Sequence, residues 1–215
     1  MTLRQKKLLA LISPAIIVLI IDQISKYLVR SNPSLHNYTI IDGWLRFNYT
    51  QNPGMALGMD WLSTPSISVV AILATILIFL YIFKNLDKSN LAYLFCMGLI
   101  LGGALGNISD RLSMGLIEGY GGVLYGHVVD FIHFSLRINE TPVFPYIFNV
   151  ADIAISTSII ILLLFNKKIM PVPDTQETEE EYGEGIIDTI EESESDSPNE
   201  DYPIINEKKT GSADA

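Results

Sequence analysis

The stretch "IFNVADIAISTSIIILLLFNK", residues 147–167, decides how this chain folds. Its second half is apolar without interruption and predicts a membrane-entering helix over residues 147–165, yet Asp152 stands in the first turn. A carboxylate near hydrocarbon costs about 2.5–3.5 kcal/mol on insertion scales, and such residues usually face a protein interior or a watery cavity. Asp152 therefore needs either a structural partner or a chemical role.

Working outward, three more apolar runs stand out, at residues 8–29, 67–83 and 91–108. At about 1.5 Å rise per residue each is close to long enough for a hydrocarbon core of roughly 30 Å. The chain of 215 residues is 49% hydrophobic and only 18% charged. The expected fold is a polytopic α-helical membrane protein with four transmembrane helices, a small extracytoplasmic β-rich platform and a disordered acidic C-terminal tail. Arg4, Lys6 and Lys7 ahead of residues 8–21 also resemble a secretory signal peptide. However, "IDQISKYLVR" continues in helical register without an A-x-A-like cleavage site, so a retained first helix is expected.

The formal charge of −10 is unevenly spread. Residues 171–215 hold 15 Asp or Glu against two Lys, net −13, whereas residues 1–170 hold nine against twelve, net +3. The acidity thus belongs to the tail, which has too little apolar surface to offset ordering entropy. Residues 1–170 form the expected membrane-embedded domain and 171–215 the tail. Arg4, Lys6, Lys7, Lys84, Lys88, Lys167 and Lys168 all fall on one side of the expected spans. By the positive-inside rule both termini are then cytoplasmic. The connection containing "YTIIDGWLRFNYTQN" lies outside, and its β-branched and aromatic residues around an Asp-Gly turn predict a small sheet. Trp44 and Trp61 also suit interface anchors.

Polar residues gather at the outer ends of the spans. Asp22 and Lys26 are spaced i, i+4 and can pair on one helical face. "QNPGMALGM", residues 51–59, offers Asn52 beside Gly54 and Gly58, which permit close backbone approach. In "LGGALGNISDRL", residues 101–112, small residues suit close helix packing and Asn107, Asp110 and Arg111 follow where the helix nears water. Adjacent Asp110 and Arg111 do not face each other and should reach different partners, with Asp110 a structural hydrogen-bonding group and a rival catalytic carboxylate. "GHVVDFIHF" places Asp130 among apolar neighbours, which disfavours its charged form. Were Asp130 and Asp152 to meet, they could share a proton, one as base and one as acid, which is how paired aspartates activate water for amide hydrolysis. The dipole of its helix favours Asp152 as the ionised partner.

Other chemistries fit less well. Cys96 lies within the third apolar run while His36, His127 and His133 fall outside, against a Cys–His nucleophile. His127, Asp130 and His133 lack the i, i+4 histidine pair of zinc helices. The glycine-rich runs lack a Walker lysine, and no basic nucleic-acid footprint exists. A proton-coupled carrier would spread its carboxylates through the bilayer, and a non-catalytic assembly protein would rely on the platform and tail.

Taken together, these stretches resemble the lipoprotein signal peptidase family, signal peptidase II, bacterial aspartyl peptidases of the cytoplasmic membrane. Asp22 and Lys26 match D-x-x-x-K, "NPGMALG" is similar to the N-x-G-x-A loop, "GGALGNISDR" matches G-G-A-x-G-N-x-x-D-R, and "VVDF" and "FNVAD" match the two aspartate motifs. The likeness covers about residues 8–166. It implies that Asp130 and Asp152 are the catalytic pair, cleaving diacylglyceryl-modified prolipoproteins before the lipidated cysteine. Asn52, Gly54, Ala56, Asn107, Arg111 and Asn149 would shape or contact the substrate site, with Asp22, Lys26 and Asp110 supporting it. The resemblance further implies no metal or other cofactor, no nucleic acid, inhibition by globomycin-type cyclic peptides, a monomer in contact with membrane lipid, and an active site near the outer face of the inner membrane. The link of residues 113–127 is longer than expected, and Met55 and Leu57 stand where the family often has Ala and Phe.

Overall fold

A computed structural model of the chain describes residues 1–54 and 62–169. The expectations for Ala56, for Met55 and Leu57, for Trp61 and for the acidic tail lie outside the described residues. What is described belongs to one compact unit, Met1–Pro171.

Helix α1 spans Leu3–Ser31, α2 Thr64–Lys84 and α3 Leu91–Ile117. Among the described residues these three are long and apolar enough to cross a membrane. The first expected run is therefore a single helix, which Thr2 and Gln5 start with a reciprocal capping box. Pro14 sits inside it, packed where Gly98 of α3 leaves no Cβ in the way. Gly102 similarly meets the Ala15 backbone, so α1 and α3 approach closely over a glycine face. Asn90 starts α3 by accepting the Tyr93 N–H at 2.8 Å. Helix α2 is apolar on all sides and exposes Val70 and Leu77 at 62% and 67%, as a lipid-facing helix does.

Two boundaries differ from expectation. Helix α3 continues to Ile117, so Asn107, Asp110 and Arg111 lie inside it rather than at its end. Their polarity interrupts the hydropathy pattern but not the helix, because Lys26, the Val129 N–H and Asp152 supply partners for Asn107 and Asp110. Helix α4 spans Val150–Leu164 and begins later than predicted. Ile147–Phe148 form strand β6, and Asn149 caps the helix behind it. At about 22 Å, α4 is shorter than a full span. The short helix α5, Asn166–Ile169, follows it.

The expected platform is a four-stranded antiparallel sheet in the order β1-β2-β3-β6, built from Thr39–Ile41, Leu45–Asn52, Val128–Phe134 and Ile147–Phe148. Strands β1 and β2 turn through Asp42 and Gly43, where φ is +71°. A second hairpin, β4 (Arg137–Ile138) with β5 (Thr141–Pro142), fills the connection between β3 and β6. Val29, Met114, Val129 and Phe131 form a buried cluster that fastens the sheet to α1 and α3.

Candidate active site

Strand β3 and the first turn of α4 bring two carboxylates to one place. Thr50 pairs with Asp130 and Asn52 with Val128 across β2 and β3, after a register shift between Phe47 and Thr50. That register makes Asn52 the diagonal neighbour of Asp130, within side-chain reach. Its Nδ2 donates to Asp130 Oδ2 at 3.0 Å, and its Oδ1 accepts the Gly54 N–H at 2.8 Å. Gly54 has φ +110°, and a Cβ there would stand 2.6 Å from Ile67 Cδ1 and 3.4 Å from Arg111 Nη1, so this turn accepts only glycine without strain.

Asn149 links the two aspartates. Its side chain accepts the Asp152 N–H at 3.0 Å, and Asp152 Oδ2 accepts the Asn149 N–H at 3.2 Å, a capping box that starts α4. The Asn149 Nδ2 also donates to Asp130 Oδ1 at 2.7 Å. One fully buried residue thus touches both carboxylates, Asp130 through its side chain and Asp152 through its backbone N–H. The other Asp152 oxygen, Oδ1, accepts from Asn107 Nδ2 at 2.9 Å.

The environments of the pair differ. Asp130 is 2% exposed, while Asp152 is half-buried and borders a cavity of about 630 Å³. Burial pushes the Asp130 carboxyl up to about 7, and the nearby Asp152 charge adds to that. The Asn52 and Asn149 donors and the Lys26 charge pull the other way without cancelling it. The cavity walls are almost wholly apolar, including Trp44, Phe134, Val143, Phe144 and Phe148, with Asp152 and Ser156 the polar lining groups.

Beneath the pair, Lys26 donates to Asp22 at 2.8 Å, to Asp110 at 2.9 Å and to Asn107 Oδ1 at 2.9 Å. The expected Asp22–Lys26 pair is thus present, with Asp110 as a third member. Asp110 reaches Lys26, Gln23 and the Val129 N–H, whereas no side-chain hydrogen bond of Arg111 is formed among the described residues. Arg111 Nη1 is buried without a hydrogen-bond partner among the described residues, within electrostatic reach of Asp130, Asp110 and Asp152. Gln23 went unnoticed in the sequence, yet its amide donates to Asp22, to the Gly106 carbonyl and to Asp110 at 3.1–3.2 Å. Only its place beside Asp22 could have pointed to it.

His127 precedes β3 and His133 lies within it. His133, three residues along the strand from Asp130, falls on the opposite face, so the three do not converge on one side of β3. Among the described residues no group of three or more His, Cys, Asp or Glu is arranged to hold a metal ion. Cys96 is buried in the core cluster with Leu11, Leu94 and Leu162.

Comparison with known proteins agrees with the motifs. The family model described as signal peptidase (SPase) II matches residues 14–167. A lipoprotein signal peptidase of Chlorobium phaeobacteroides is 33% identical over 169 residues, covering 75% of this chain and 92% of that protein. One from Moorella thermoacetica is 37% identical over 150 residues, covering 69% and 86%. A solved structure described as "Bacterial membrane enzyme structure by the in meso method at 1.9 A resolution" is 28% identical with a TM-score of 0.55, covering 72% of this chain and 90% of that one. With its ordered motifs inside that match and its spanning helices beside the small sheet, the chain belongs to the signal peptidase II family.

Proposed function

We propose that this protein removes signal peptides from prolipoproteins, cutting before a diacylglyceryl-modified cysteine with Asp130 and Asp152 as its acid–base pair. The observation that carries this reading is Asn149, whose side-chain Nδ2 donates to Asp130 and whose backbone N–H donates to Asp152, so that one residue joins carboxylates from two different elements. Asp152 borders the cavity and acts as the base, taking a proton from water as its oxygen attacks the scissile carbonyl carbon. Asp130, shielded and raised to about 7, holds a proton near neutral pH and gives it to the carbonyl oxygen. Asp152 then gives its proton to the amide nitrogen while a hydroxyl of the tetrahedral diol returns a proton to Asp130, and the C–N bond breaks to leave a carboxylic acid on the signal peptide and a free amine on the cysteine. The apolar cavity beside Asp152 suits a substrate that carries lipid.

Asn52, Gly54, Asn107, Arg111 and Asn149 shape the substrate site, and Ala56 is assigned with them by family likeness. Globomycin-type cyclic peptides are the expected inhibitors, and a monomer in the bacterial inner membrane the expected state. Helix α4, about 22 Å at helical rise, makes the fourth crossing, a short span being accommodated by local bilayer thinning and by flanking lysines that snorkel. Lys167 and Lys168 then join Lys6, Lys7, Lys84 and Lys88 on the cytoplasmic side, with the acidic tail beyond them. The sheet and aspartate pair lie near the outer face, where lipid anchor and water meet.

The test is cleavage by the purified protein in detergent or lipid. A diacylglyceryl-modified prolipoprotein is cut and its unlipidated form is not; equal cutting of both, or of neither, overturns the reading.

A further inference from the structure

Two carboxylates outside the acid–base pair are as deeply buried as Asp130: Asp22 at 0% and Asp110 at 3% exposure. All their oxygens are occupied by protein donors. Asp22 Oδ1 accepts the Ala151 N–H at 2.9 Å, and Asp110 Oδ2 accepts the Val129 N–H at 3.1 Å. Ala151 immediately precedes Asp152, and Val129 immediately precedes Asp130. Each inner carboxylate therefore holds the backbone one residue ahead of one outer carboxylate. Lys26, 3% exposed, ties the two together, and its contact with Asn107 leads through that amide to Asp152. Gly106 makes room for this arrangement, since a Cβ there would stand 2.5 Å from Asp22 Oδ2.

The geometry points to Asp22, Lys26 and Asp110 as one positioning unit that sets the separation of strand β3 from the first turn of α4, and with it the spacing of Asp130 and Asp152. The inference rests on the peptidase reading above. An ion triad kept for stability alone is a poor solution, because apolar side chains of similar volume often serve as well. Apolar side chains, however, cannot accept the Ala151 and Val129 N–H groups or orient the Asn107 amide. The charges around the pair are Asp22 and Lys26 from α1, Asp110 and Arg111 from α3, and the pair itself from β3 and α4.

Lys26→Met and Asp110→Asn distinguish a positioning role from a structural one, the second keeping an oxygen for the Val129 N–H while weakening the tie to Lys26. Folded fraction, kcat, KM and the pH profile of kcat are measured on each in detergent. Displacing a reacting group by about 1 Å costs on the order of 100-fold, so kcat per folded molecule falls by about that factor in Lys26→Met. KM stays within about threefold, since ground-state binding is largely untouched. Loss of the Lys26 charge by itself pushes the Asp130 limb up, so the spacing is read in Lys26→Arg, which keeps the charge: there the two limbs of the pH profile draw together, because a wider pair couples less. The double variant is no worse than Lys26→Met alone, as expected of residues acting as a unit. Activity that only tracks folded fraction, with the Lys26→Arg limbs in place, overturns the inference; where Lys26→Met does not fold, Asp110→Asn decides by the same readouts. Failure of the unmodified protein to cut a lipidated precursor instead removes the peptidase reading, and this inference with it.

Discussion

At the scale of residues, the proposed division of work between the two aspartates rests on surroundings rather than chemistry. Each accepts two amide hydrogen bonds, so hydrogen bonding alone does not separate them. Burial does, since Asp130 is 2% exposed while Asp152 borders the cavity. With the Asp130 carboxyl raised from 3.8 to about 7, its proton is held below that pH and lost above it. Turnover should therefore fall as pH rises through about 7, because the acid loses its proton. A kcat profile measured between pH 5 and 9, roughly the range that brackets this change, checks the direction. A limb that instead rises there would reverse the assignment of acid and base.

Elements do the positioning, and the start of α4 is the clearest case. The run "NVAD" places Asn149 at the cap and Asp152 three residues on, a capping-box spacing that the bare sequence carries. Replacing Asn149 by Ala removes both the cap and the bridge to Asp130. Cap loss costs about 0.5–2 kcal/mol of stability, read as a lower melting temperature in detergent. Turnover should fall further than that cost explains, by about 100-fold, because the reacting groups lose their alignment. Asn149→Ser separates the two effects: it keeps a capping oxygen, so stability recovers, but its short hydroxyl does not replace the Nδ2 donor to Asp130, so turnover does not. Recovery of both would reduce Asn149 to a cap.

The same scale explains what the sequence discloses. Asp22 with Lys26 is readable because one helical turn joins them. The Asp-Gly turn and alternating β-branched residues are readable as a sheet for the same local reason. The run of α3 past Asn107 is not, because its polar residues look like a helix end until the Lys26 contacts are known. Nor is the meeting of Asp130 with Asp152, which depends on β3 pairing with β6 and on α3 packing against α4 at Gly103, where a Cβ would stand 2.6 Å from the Ala151 carbonyl oxygen. Contacts between residues far apart in the chain leave no local pattern to read. Family likeness supplies the pairing, and geometry supplies its partners.

Across Met1–Pro171, helices α1 and α3 pack closely, the sheet is fastened to them through Val29, Met114, Val129 and Phe131, and the start of α4 packs on α3. Residues from α1, α3, β2, β3 and α4 meet there, so the centre exists only in the complete fold. A carrier reading would need carboxylates distributed along a path through the spans. Asp22, Asp110, Asp130 and Asp152 instead gather around one Lys26–Asn107–Asn149 network. The most direct test of the central claim is turnover of a diacylglyceryl-modified prolipoprotein by Asp130→Asn and Asp152→Asn, each shown to be folded by its melting transition. Loss of cleavage in both, by about 1,000-fold or more, is the predicted result for groups that exchange protons with the substrate. Substantial cleavage by either folded variant would contradict it.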